Sequence, residues 1–442
     1  MNDLSLALIR KGKGTGVVAG TTSHDLELAL ARKYGDGESD EPAPTLTAYL
    51  TFESASLFTL TSREGRTGKT WDGTLAYSRD GVNWFIWDGT KPLKSKQGGG
   101  NRHYLYLGGY GNTKITGDDS HVSFKLDGAD VESRGDIRAL LDYEKAAADE
   151  DPVMADYCFA HLFAENENYV GGLISLPSKT LAQGCYSYMF SGCTDMSAAP
   201  DLPATTLAVN CYTSMFDGSG IMSAPELPAT TLAAGCYSSM FSYCSYLYDP
   251  PELPATTLAQ SCYDSMFAHS GIRTAPELPA TTLTYNCYFS MFSHCRDLVS
   301  APELPATTLA QSCYCDMFSF CTSIIAAPAF PAALVQQTIT TSVFERMFQG
   351  CTSLIEIPEI PIRSFMVRTF LFMFAGCTSI GFSETQTAGY PNAFRIPSTG
   401  TGTDYSSGTA TNSMFRDTSG TFTGDPLFNT TYYTNATIVP AA

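Results

Sequence analysis

From residue 158 onward, apolar and polar positions follow one fixed order: a Cys-aromatic pair, two small or polar residues, then Met-Phe. Anchored on its phenylalanine, the cassette falls at Phe163, Phe190, Phe216, Phe241, Phe267, Phe292, Phe318, Phe348, Phe374 and Phe415, at steps of 27, 26, 25, 26, 25, 26, 30, 26 and 41. A period in this range predicts units that each bury their apolar face only against the next, as in a solenoid. Within Leu176 to Leu202, Thr180 is placed to cap a short helix. Leu181, Cys185, Met189 and Cys193 recur there every fourth residue, one helical face with Phe190 beside it. Thr194 to Ala199 reads as a short strand, and Pro200 and Pro203 stop any helix. The residue opening each strand (Met196, Ile221, Leu247, Ile272, Leu298, Ile324, Leu354) is expected in the core. The two positions after it vary while the frame stays constant, so they are the expected presented surface: Ser223, Tyr248, Asp249, Arg273, Thr274, Val299, Ser300 and Glu356 among them. Units with a second cysteine alternate with units carrying Ser-Gly (219–220, 270–271) that are one residue shorter.

Upstream the pattern changes to alternation broken by Asp72-Gly73, Asp80-Gly81 and Asp88-Gly89, which predicts an antiparallel β-sandwich. Its strands are expected at Ala48 to Leu60, Thr74 to Tyr77, Trp84 to Trp87, His103 to Leu107 and His121 to Leu126. Trp71, Trp84 and Trp87 all lie here, as a sugar-stacking platform or, fitting a small sandwich better, as core aromatics. The expected organisation is an attachment segment and linker (1–45), a β-sandwich (46–135), a helical bridge (136–150), a leucine-rich-repeat solenoid (151–380), and a divergent last repeat and cap (381–442), the repeats together making an α/β solenoid of about ten coils.

The net charge of -18, from 26 basic and 44 acidic residues, argues against a nucleic-acid partner, since phosphates reward Lys/Arg stripes. The N-terminus lacks the order of a signal peptide, because Arg10, Lys11 and Lys13 follow its short apolar stretch. No apolar run approaches spanning length. Assembly in the cytoplasm, without membrane insertion, is therefore expected. Of fourteen cysteines, most fall in two repeat columns, and the expectation is buried, reduced thiols. No Cys-x-x-Cys is present, and His161, His269 and His294 read as loop histidines at different repeat positions. Asp201, Glu226, Glu252, Glu277, Glu303 and Glu359 form an acidic column that fits a solvated stripe better than a calcium ladder. Arg63 to Thr70 lacks the first glycine of a phosphate loop. No catalytic residue, metal or cofactor is expected.

The stretch CYSYMFSGCTDMSAAPDLPATTLA and its neighbours, over about Cys158 to Cys377, resemble the BspA-like leucine-rich repeats of Bacteroides and relatives. AYLTFES, YSRDGVNWFIWDG and VSFKLDGADVESRGDIRALL resemble the β-domain that often precedes them. Members are mostly secreted adhesins or surface ligands, so the resemblance implies a non-enzymatic binding protein. Residues 1 to 45, with the short amphipathic run Leu4, Leu6, Leu8 and Ile9, resemble adaptor segments that open phage fibre proteins; Bacteroides phages, crAss-like ones included, carry such repeats in virion appendages. This implies a virion fibre that contacts other virion proteins through its N-terminus and a host surface glycan or protein through its repeats, as a homo-oligomer, a trimer by preference. The alternative is a bacterial cell-surface adhesin.

Overall fold

The computed structural model describes residues 41–62, 70–117, 124–128, 130–355 and 364–380, with 360, 362, 393–394, 414–418, 421–422 and 433–434. Among these residues the regular structure is mostly sheet; the α-helix is confined to Tyr143–Ala147 (α1), and no sheet closes into a barrel.

The N-terminal part forms two sheets. In the larger, β1 (Leu50–Ser54) runs antiparallel between β7 (His103–Tyr110) and β9 (Val131–Asp136). It continues through β3 (Thr74–Ser78) to β4 (Trp84–Trp87) on one side, with β6 (Lys96–Gln97) also on β7, and to β10 (Tyr169–Ser175) on the other. In the smaller, β2 (Phe58–Ser62) lies between β5 (Leu93–Lys94) and β8 (Phe124–Gly128). The stretch Ala48 to Leu60, expected as one strand, is two strands in different sheets, broken after Ser54. Alternation along β1 and β7 sends Leu50, Phe52, Leu105 and Leu107 into the core between the sheets, where Trp87 meets Phe124 with ring centroids 5.9 Å apart. Glu41 and Ala43, in the expected linker, hydrogen-bond along β4 (Ile86 N to Glu41 O, 2.6 Å; Ala43 N to Trp84 O, 2.9 Å).

The described repeats do not contain the expected helix. In the second coil the amides of Gly184, Tyr186, Tyr188, Phe190 and Gly192 donate to the carbonyls of Val209, Cys211, Thr213, Met215 and Asp217 in the next coil, at 2.7–3.0 Å. The intervening amides, Cys185 to Cys193, donate three residues back within their own coil at 3.0–3.3 Å. The segment is therefore a ribbon of tight turns that satisfies its backbone half locally and half across coils. Every fourth residue is left-handed: Gly184 (φ 58°), Tyr188 (56°) and Gly192 (71°) here, and Asn286, Ser290 and His294 four coils on. A left-handed residue at that interval cannot sit in an α-helix. The period of four that suggested a helix is the period of this ribbon, which turns two residues inward (Cys185, Tyr186; Met189, Phe190) and then two toward its other side.

The inward residues stack in columns. Cassette phenylalanines from Phe163 to Phe374, and then Phe415, lie 5.4–5.8 Å from their neighbours. Beside them Phe159, Tyr186, Tyr212, Tyr237, Tyr263, Tyr288, Tyr314, Phe344 and Phe370 do the same at 5.7–6.1 Å. Leu247, Ile272 and Leu298 are fully buried, as their column predicted. All fourteen cysteines are free and buried. The second column has a specific role: Cys193, Cys244, Cys295, Cys321, Cys351 and Cys377 each donate to the cassette-phenylalanine carbonyl of the preceding coil at 2.9–3.0 Å.

The alternation of unit length also has a steric cause. In the shorter units Gly220 and Gly271 donate to Cys193 and Cys244 of the preceding coil. A Cβ on either would overlap the carbonyl oxygen of Thr194 or Ser245. One residue fewer pulls the chain against its neighbour, and only glycine fits there.

The two regions share one continuous core. Ile115 and Phe124 amides donate to Cys158 and Leu162, and the buried Asn166 clamps the join, accepting from Leu126 N at 2.7 Å and donating to Phe124 O at 2.9 Å. The sheets thereby cover the first coil, whose apolar end would otherwise face water. Buried Arg138 ties the connecting segment down through Asp136, Asp149 and Asp151 at 2.7–3.1 Å.

Candidate binding surface

After each ribbon the chain turns and extends for a few residues. The first of these is buried and the next two are exposed, and backbone bonds from coil to coil hold the segment in register. Met222 N donates to Ser197 O at 3.0 Å, Arg273 N to Tyr248 O at 3.1 Å, Val299 N to Arg273 O at 3.3 Å and Ile355 N to Ile325 O at 3.0 Å. In place of the expected strand, the segment makes only an isolated parallel bridge (Ala198 to Ser223) before proline ends it; a buried leucine follows the exposed acid, and a threonine in the next segment makes further parallel bridges between coils (Thr206 to Thr231, Thr231 to Thr257, Thr282 to Thr308).

This geometry brings Tyr248, Arg273 and Val299 into one exposed row, with Ser223, Asp249, Thr274 and Ser300 exposed beside it. The Arg273 guanidinium lies over the Tyr248 ring, 4.4 Å from its centroid, joining two coils by a cation-π contact. Glu356 lies outside the described residues, as do Leu4, Leu6, Leu8 and Ile9 and nearly all of the Arg63 to Thr70 loop. The row also holds Met222, Ile325 and Ile355, which are 48–60% exposed. Their signal was in the sequence as apolar residues one place after the core column. Between the third and fourth coils the row opens into a groove of about 530 Å³, lined by Met222, Ser223, Pro225, Glu226, Asp249 and Glu252, among others.

The tryptophans follow the favoured core reading, and the histidine reading changes. Trp71, Trp84 and Trp87 are 2–3% exposed, so none offers a ring face to a sugar. His269 and His294 do not occupy different positions: each is two residues after its cassette phenylalanine. With Tyr243 and Phe320 they form a partly exposed ladder, with ring centroids 4.4, 4.2 and 4.7 Å apart. Only His161 sits elsewhere, stacked on Tyr188 at 4.6 Å. Counting from the phenylalanine rather than along the chain would have found this column. Burial in the stack, and then the charge of Arg296, lower the pKa of His269; for His294 burial is followed by His269 itself.

Burial favours the protonated form of the thiols. Desolvation pushes Cys193, Cys236, Cys244, Cys287, Cys295 and Cys377 up to about 12, leaving essentially no thiolate to attack or to ligate. Among the described residues no three His, Cys, Asp or Glu side chains converge as a metal site, and no helix is long and apolar enough to cross a membrane.

No family model, curated protein or solved structure matches this chain.

Proposed function

We propose that this protein is a non-enzymatic binding protein, a fibre or appendage of a phage virion that displays its repeats outward as a leucine-rich-repeat solenoid. One observation carries the reading. Rings, thiols and prolines repeat almost unchanged through the stack, while the exposed row differs at each coil from Ser197 through Met222, Tyr248, Arg273 and Val299 to Ile325, repeating only at Ile355. A constant frame holding a variable exposed row is the arrangement of a recognition surface. Attachment through the N-terminal segment, to other virion proteins, rests on the resemblance of residues 1 to 45 to fibre adaptors, and several copies per particle would raise avidity.

The test has two arms. Purified virions are searched by mass spectrometry for the full-length protein and for a version lacking residues 1–40; the cut stops there because Glu41 and Ala43 pair with β4. The full-length protein is expected in the particle and the truncated one, folded and soluble, is expected outside it. In the second arm, Tyr248→Glu with Val299→Glu is expected to reduce host attachment without reducing incorporation. Absence of the full-length protein from virions rejects the virion reading, and its recovery from the cell surface instead supports the adhesin.

A further inference from the structure

The groove beside Met222 has a chemistry that selects among partners. Its walls are apolar and acidic in alternation: Met222 and five prolines against Glu226, Asp249 and Glu252. Past Tyr248 and Arg273, which are taken up with each other, the pairing returns: Val299 and Ile325 are exposed apolar members of the row and Glu277 and Glu303 continue the exposed acidic column. Residues 180–345 contain only two basic side chains, Arg273 and Arg296, and the first lies against Tyr248. Polyanions such as phosphorylated or sulfated glycans meet like charge on this face. Neutral glycans are recognised largely by open aromatic faces, and Tyr248, the aromatic side chain in the row, carries a guanidinium over its ring.

Resting on the display reading above, we propose that this face docks an extended protein segment that alternates apolar side chains with Lys or Arg. The apolar side chains lie along Met222, Val299 and Ile325, and the cations meet Glu226, Asp249, Glu252 and their successors. A segment with period two presents the two chemistries to opposite sides. The occupant is thus a cationic, apolar stretch of polypeptide rather than a sugar.

Fluorescence anisotropy with the full-length protein tests this, using three labelled peptides of equal length: alternating Leu-Lys, alternating Leu-Glu and alternating Ser-Lys. Leu-Lys is expected to bind, to weaken as salt rises, and to outbind both others. Asp249→Asn with Glu252→Gln is expected to weaken it roughly ten-fold, two partly screened ion pairs' worth, and Met222→Ser to weaken it with little change in salt dependence. Asp130→Asn with Glu144→Gln, exposed acids of the N-terminal region, is the control and is expected to leave it unchanged. Equal loss in the control pair, equal binding of Ser-Lys, or displacement by a neutral oligosaccharide overturns the proposal. If Leu-Lys fails while Tyr248→Glu with Val299→Glu still abolishes host attachment, the display reading stands and only this occupant is wrong.

Discussion

Replacing Phe267 by alanine probes the stack at its middle. Its ring is fully buried, between Phe241 at 5.7 Å and Phe292 at 5.8 Å, and its carbonyl accepts the Cys295 thiol at 2.9 Å. Truncating a buried phenylalanine costs about 3–5 kcal/mol when the surroundings cannot collapse. Here they cannot, because both flanking rings are held in register by cross-coil bonds on either side (Phe241 N to Met266 O, Phe267 N to Met291 O, both 2.9 Å). The two lost stacking contacts, each about 0.5–1.5 kcal/mol, are part of that figure. Phe267→Leu, which keeps most of the volume but not the stack, should cost about 1–2 kcal/mol. Urea titration followed by far-UV circular dichroism should show both shifts. All three tryptophans lie in the N-terminal sheets, so their fluorescence reports a different part of the molecule and serves as an internal reference. Hydrogen exchange should place the loss of protection in the coils around residues 241–292, since each coil contacts only its neighbours. An unchanged midpoint, or protection lost equally everywhere, would falsify the account of the column as a locally acting core.

Gly220→Ala and Gly271→Ala should each cost about 1–3 kcal/mol or more by overpacking against a carbonyl of the preceding coil; Gly117→Ala, whose added Cβ meets no heavy atom within 4 Å and whose φ is not left-handed, should cost less, and equal melting points for the two classes would contradict the steric reading. Thiol titration without reductant should find the fourteen cysteines unreactive in the native protein and mostly reactive once unfolded; a count near zero after unfolding would mean disulfides. The pKa of both His269 and His294 is lowered on folding from 6.5, so the unfolded chain binds more protons and stability should fall as pH drops through about 6.5. Replacing both by Gln should remove that component between pH 7 and 5, and an identical pH profile for the double variant would show that the ladder does not titrate.

Much of this protein was determined locally. The columns were legible because a repeated unit must place the same side chain in the same environment, so Leu247, Phe267 and Cys295 could be assigned to the interior from spacing alone, and Tyr248, Arg273 and Val299 to the surface. What spacing could not decide was the backbone. A four-residue period of apolar positions is compatible with a helix or with a turn ribbon, and the choice falls to hydrogen bonds between coils about 26 residues apart, which hold Tyr188, Ser290 and His294 in a conformation that costs roughly 1–2 kcal/mol per residue in isolation. The same bonds explain Gly220 and Gly271, whose need for glycine lies in the previous coil. The stacking of His269 on His294 and the seating of the N-terminal sheets on the first coil through Asn166 likewise exist only once distant segments meet. Local sequence set which residues each coil turns inward; neighbouring coils set the path of the chain, because half of its backbone bonds are made to them.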